Sequence, residues 1–196
     1  IASEFRSRRI PVSKNTLVVA ISQSGETIDT LMAVRRAREG GARALALVNA
    51  ERSAIDRESD VAVYTRAGIE IGVAATKTFT AQIAALGLLG LALGRERGTV
   101  SPEAVRDELR HLTLLPGRIT EALRLEPTIV DLAERLHRAK DVLFLARGVL
   151  FPVALEGALK LKEISYIHAE GYPAGEMTHG PIALIDEGTP VVMLVS

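Results

Sequence analysis

The 196-residue chain is 47% hydrophobic and carries 24 Lys plus Arg against 24 Asp plus Glu, a formal net charge of zero. That is enough apolar sequence for one large domain or two small ones. Balanced charge argues against a nucleic-acid or anionic-membrane surface, which needs a clustered positive field; zero cysteines remove disulfides, thiolate metal sites and a cysteine nucleophile, and 4% aromatics argue against a base-stacking platform.

In chain order, "TLVVAIS" (16–22) is a continuous apolar run, expected to be an internal strand covered on both faces of a parallel sheet. Ile28, Leu31, Met32 and Val34 follow at helical spacing, and Gly40-Gly41 marks the stop. "ARALALV" (42–48) and "DVAVYTR" (60–66) are the next strands, then the loop "AGIEIGVAA" and a helix over 76–93. The longest apolar stretch, "IAALGLLGLALG", is too short by itself to span a bilayer, so this helix is expected to be buried. Helices punctuated by Pro102, Pro116 and Pro127 occupy 101–137. The pattern then returns as strand "DVLFLA" (141–146), loop "RGVLFP", a helix over 152–167 and a final strand "PVVMLVS" (190–196).

Strands alternating with helices predict an α/β fold with a doubly wound parallel sheet. The strand–polar loop–helix order of 16–39 recurs at 141–167 as a weak internal repeat, giving a first domain over 1–120, a helical connector near 100–127 and a second domain over 121–196. The chain starts at Ile1 and stops within an apparent strand, so both domains are expected to be incomplete parts of a longer polypeptide. No signal peptide is visible, and a cytoplasmic setting is the default.

In such sheets ligands sit beyond the carboxyl ends of the strands, where helix N-termini present free N–H groups. "SQSGET" (22–27) occupies that position, with hydroxyls at Ser22, Ser24 and Thr27, the amide of Gln23, and Gly25 allowing close backbone approach. Orphan amides and the helix dipole hold an anion without a basic side chain, so the segment is a candidate phosphate cradle. The plainer reading is that Ser24 or Thr27 is an N-cap, worth about 1 kcal/mol. No Walker A pattern is present, and the Gly preceding a nucleophile elbow is missing.

Three segments, "SQSGETIDT", "GIEIGVAATKTFTAQ" and "ALEGALKLKEISYIHAEGYPAGEMTHGPIALID", resemble the sugar isomerase (SIS) domains of the glucosamine-6-phosphate synthase family. The resemblance implies flavodoxin-like SIS domains and conversion of fructose 6-phosphate plus ammonia to glucosamine 6-phosphate. The ammonia would come from glutamine at a glutaminase domain elsewhere in the full-length protein. It assigns Ser22, Gln23, Ser24 and Thr27 to the phosphate loop and backbone contacts with the sugar to Val73. Ala75 stands where many members have Ser, and Thr178 where Lys is common. Glu163 matches the base that shuttles a proton between C1 and C2, with Lys160 beside it. His179 matches the histidine that assists ring opening from the partner subunit of a homodimer. The family's sugar-binding loop would precede Ile1 and its C-terminal Lys would follow Ser196. No cofactor and no metal are implied, and neither a membrane nor a nucleic acid is an expected partner. Two alternatives are an SIS-domain deaminase working without a glutaminase domain and a regulator that binds sugar phosphate without turnover.

Independently of the resemblance, Glu156, Lys160 and Glu163 at i, i+4 and i+7 share one helix face. That pattern is either a solvated salt-bridge ladder or a carboxylate poised to move a proton alpha to a carbonyl, with Lys160 holding it ionised. The helix follows a strand and a Gly-containing turn, which would bring its face to a cleft. His168, Glu170 and His179 lack zinc-site spacing, and His111 and His137 are expected at the surface.

Overall fold

The computed structural model describes residues 1–195, which form two compact units, Ile1–Leu114 and a second from Leu115. In the first unit, β1 (Leu17–Ser22), β2 (Arg43–Val48) and β3 (Val61–Tyr64) make a parallel sheet in the order β1-β2-β3. Ser22 pairs with Val48 and Val48 with Tyr64, so the carboxyl ends of all three strands finish level along one edge. α2 (Ile28–Glu39) joins β1 to β2 and the short α3 (Ala54–Glu58) joins β2 to β3. Leu31 and Val34 of α2 and Ile55 of α3 pack on Ala20, Ala44, Ala46 and Val48. Small Ala33 and Ala37 complete the buried face of α2, while Ile28, expected inward, is exposed. A short α1 (Ala2–Ser7) packs on α2, and Arg36 donates to the carbonyl oxygens of Arg6 and Arg8.

The strand covered on both faces is β2, buried without a break from Ala44 to Val48. β1 is parallel as expected but lies at the edge of its sheet, with Leu17 46% and Ile21 42% exposed. An unbroken apolar run does not by itself distinguish a central strand from an edge strand; here a second such run, β2, has one neighbour on each side.

α4 (Lys77–Glu96) overturns another expectation. Only Thr78 of its 20 residues is buried, and Ile83, Leu88 and Leu93 are exposed. By length and composition it is long and apolar enough to cross a membrane, because the helix extends past the 12-residue apolar stretch at both ends to reach about 30 Å. Its apolar surface is not covered by the residues of its own unit.

α5 (Pro102–Leu123) and α6 (Glu126–Leu136) follow, both without buried residues. Pro102 and Pro127 open helices, but Pro116 does not end one: α5 runs through it on an exposed surface, where the carbonyl left without a donor can be hydrated.

In the second unit, β4 (Asp141–Ala146) is central, flanked in parallel by β5 (His168–Pro173) and β6 (Val191–Met193). α7 (Phe151–Ser165) covers one face, where Val142, Ala158 and Ala169 are buried; Leu143, Leu145 and Met177 form the other. β5 has no strand signature in sequence. Its Gly171 and Pro173 are tolerated because the strand is at an edge, and a Cβ on Gly171 would press on the backbone of Leu155, so the glycine lets α7 approach. α7 ends at Tyr166, which takes the left-handed φ of 62°. The expected last strand is three residues long, and Ser196 lies outside the described residues.

Candidate active site

The first group of candidate residues stands at the carboxyl edge of the β1–β3 sheet. β1 ends on buried Ser22, whose Oγ accepts the Gly25 N–H at 3.0 Å and lies 3.2 Å from Thr27 Oγ1. Ser24 Oγ accepts the Glu26 N–H at 3.2 Å, and Gly25 takes φ +67° to complete the tight turn. Thr27 occupies the N-cap position of α2 but makes no side-chain cap hydrogen bond. The plainer assignment of Thr27 as a helix cap is therefore not what its hydroxyl does: it pairs with Ser22 and leaves the N-terminus of α2 without a cap from its own N-cap residue.

The loop after β3 carries Val73 and Ala75. Val73 is exposed and Ala75 half-buried, and neither has a side-chain polar atom, so only their backbone can recognise a polar ligand. Two residues missed from sequence fix this loop. Glu70 accepts from both the N–H (3.2 Å) and the hydroxyl (2.9 Å) of Thr78 at the start of α4, which holds its carboxyl below the ordinary glutamate pKa. Asn49, just past β2, accepts from Thr65 Oγ1 and Ala67 N–H and donates to Gly68 O at 2.8 Å. An Asn directly after a buried strand, beside another strand end, was the available signal for the second. Gln23, Asn49, Glu51, Arg66, Ile69 and Glu70 line an open hollow of about 520 Å³ at this edge. Another hollow, of about 590 Å³, lies between α1, β1 and α2; it is mainly apolar and reaches the hydroxyl loop only at Thr27.

The second group belongs to the second unit. On α7, Lys160 Nζ is 2.5 Å from Glu163 Oε2 and 3.5 Å from Glu156 Oε1. The three side chains are 21%, 30% and 23% exposed respectively, so they form a partly desolvated ion ladder rather than a fully solvated one. Burial opposes the charge on Lys160, but the hydrogen bond to Glu163 and the two carboxylates outweigh it and raise its pKa above the ordinary lysine value.

The strand-and-turn rationale for Glu163 does not hold. Glu163 lies twelve residues beyond Phe151, about 18 Å along α7 from the end that faces the carboxyl edge of β4. The ion pair with Lys160 is present, but the carboxyl edge of β4 is not what surrounds Glu163. His179 ends a short 3-10 turn over Ala174–His179 and is exposed, just before Gly180 at φ 132°. Among the described residues, no group of three or more His, Asp or Glu forms a metal-binding cluster. His111 and His137 are exposed, as expected. His168, by contrast, is held in a surface network with Asp141 (2.7 Å) and Glu170 (3.5 Å).

Residues 1–92 and 135–196 match the model of the SIS domain family. The chain is 54% identical over 195 residues to the glutamine–fructose-6-phosphate aminotransferase (isomerizing) of Leifsonia xyli subsp. xyli, and 54% identical over 196 residues to that of Thermus thermophilus. Both alignments cover all of the chain and 32% of the relative, so the chain spans about a third of the length of the curated relatives it matches. Among solved structures, it superimposes with a TM-score of 0.97 and 42% identity on the C-terminal domain of glucosamine-fructose-6-phosphate aminotransferase from Francisella tularensis, covering 100% of this chain and 56% of that one.

Proposed function

The chain belongs to the SIS domain family, and we propose that it is the sugar-isomerase part of a glutamine–fructose-6-phosphate aminotransferase (isomerising), making glucosamine 6-phosphate. The observation that carries this reading is identity of 54% across the entire chain with relatives of that one name.

The geometry supports a role for each candidate. The hydroxyls of Ser22, Ser24 and Thr27, the Gln23 amide and the uncapped α2 N-terminus suit a phosphate, since orphan N–H groups and the helix dipole favour an anion there. The backbone at Val73 and Ala75, steadied by Glu70 and Asn49, suits the sugar. Glu163, paired with Lys160, suits removal of a proton at one sugar carbon and its return at the neighbouring one. The cation then also favours the negative charge of an enediolate. His179, exposed on its turn, serves ring opening in the partner subunit of a homodimer. The exposed apolar face of α4 fits a helix covered by other parts of the full assembly. A glutaminase domain in the full-length protein supplies the ammonia, and a cytoplasmic location goes with phosphorylated sugar substrates. The chemistry needs no cofactor.

The test is an assay of the full-length protein with fructose 6-phosphate and glutamine. Formation of glucosamine 6-phosphate that requires both substrates supports the proposal. Release of ammonia from glucosamine 6-phosphate without synthesis from glutamine would instead make the chain part of a deaminase, and binding without turnover would make it a regulator.

A further inference from the structure

We infer that Glu26 is a positioning residue, whose carboxylate fixes the shape of the 22–27 loop by capping α3 instead of meeting the substrate; this rests on the phosphate-loop reading above. Glu26 is the only charged side chain in "SQSGET", and a carboxylate facing a bound phosphate would repel it. The structure gives it another partner. Glu26 Oε1 accepts the Ala54 N–H at 2.9 Å, the first N–H of α3. Ser53 holds the N-cap position of that helix yet makes no side-chain cap hydrogen bond, so the cap is supplied from the neighbouring loop.

The same seam continues along the backbone. Gly25 O accepts the Ile55 N–H at 2.9 Å, and Gln23 O accepts from Asn49 and Ala50 at 3.1 and 3.3 Å. Gly25 lies directly on Ser53, where a Cβ would overlap the Ser53 side chain. The loop is thus pinned to residues 49–55 at Gln23, Gly25 and Glu26, while Ser24 and Thr27 take no part in the pinning. Glu26 contributes the only side-chain bond among these contacts. It acts on the substrate through the position it gives to the Ser24 and Thr27 hydroxyls.

The experiment compares Glu26→Ala, Glu26→Gln and Ser24→Ala in the full-length protein, by steady-state kinetics and by amide hydrogen exchange without ligand. Glu26→Ala is expected to raise KM for fructose 6-phosphate roughly tenfold while kcat stays within about twofold, the pattern of lost binding without lost chemistry. Exchange at residues 23–26 and 54–55 is expected to accelerate in the same variant. Glu26→Gln keeps the acceptor oxygen and is expected to restore both readouts, whereas Ser24→Ala raises KM and frees at most the Glu26 amide, leaving exchange at residues 54–55 unchanged. Wild-type exchange in Glu26→Ala, or a Gln variant as impaired as the Ala variant, overturns the inference. Accelerated exchange with KM unchanged in Glu26→Ala but raised in Ser24→Ala overturns it while sparing the phosphate loop. KM unchanged in both variants overturns the phosphate-loop reading and the inference with it.

Discussion

The hydroxyl of Ser22, the last residue of β1, lies 3.2 Å from that of Thr27, the residue that opens α2. The contact closes the turn between strand and helix side chain to side chain. It leaves the first turn of α2 without the cap that a threonine at that position would ordinarily provide. An uncapped helix start beside three hydroxyls is what an anion-binding turn needs, and two predictions follow from the pairing.

Ser24→Ala combined with Thr27→Ala should raise the dissociation constant for fructose 6-phosphate severalfold in the full-length protein, measured by calorimetry. Thr27→Ala alone should cost well below the roughly 1 kcal/mol of a lost N-cap, because its hydroxyl does not cap. A full cap-sized loss of stability, with binding unchanged, would make the loop structural only.

Beneath the loop, two neighbouring substitutions should act in opposite directions. Gly25→Ala forces a Cβ into Ser53 at φ +67° and should destabilise by about 1–3 kcal/mol in urea unfolding. Ser53→Ala removes a buried hydroxyl with no hydrogen-bond partner, so it should be neutral or stabilising by up to about 1 kcal/mol. A destabilised Ser53→Ala protein would show that its hydroxyl has a partner in solution.

Much of this arrangement was legible in the sequence because its signals are local. The β-branched and apolar runs at 16–22, 42–48, 60–66 and 141–146 became strands, and Gly40-Gly41 ended α2. What was not legible depends on tertiary context. Whether β1 or β2 is central depends on pairing order, not on apolar content. β5 is built from His, Glu, Gly and Pro because an edge strand with a helix pressed close on Gly171 tolerates them. The apolar composition of α4 predicts burial, yet residues of its own unit do not cover it. In the site, the hydroxyl loop and the Glu156–Lys160–Glu163 face followed from spacing alone. Glu26 did not, since it bonds to α3, 28 residues on, which sequence pattern does not bring near it. Nor did Asn49 and Glu70, which bond within and beside one loop whose path no pattern gives.

Lys160 makes stability depend on pH at the alkaline end. Its pKa is higher folded than unfolded, so its contribution is fully present below the unfolded lysine value, about 10.4, and is lost as pH rises through the raised folded value. Lys160→Met should remove that slope and cost on the order of 1 kcal/mol at neutral pH, discounted for partial exposure, since Glu156 and Glu163 would then face each other unpaired. Urea midpoints collected from pH 7 to 11 check both; an identical alkaline slope in the variant would assign the effect to another group.

Glu163 carries the chemical claim. Glu163→Gln in the full-length protein keeps the shape of the side chain and removes the base, so exchange of deuterium at C2 of glucosamine 6-phosphate is the direct readout. A general base contributes about 10²–10⁴-fold, and the exchange rate should fall by that order while sugar-phosphate affinity in a parallel titration barely moves. Exchange at the wild-type rate would contradict the account and leave Glu163 as one rung of an ion ladder with Lys160.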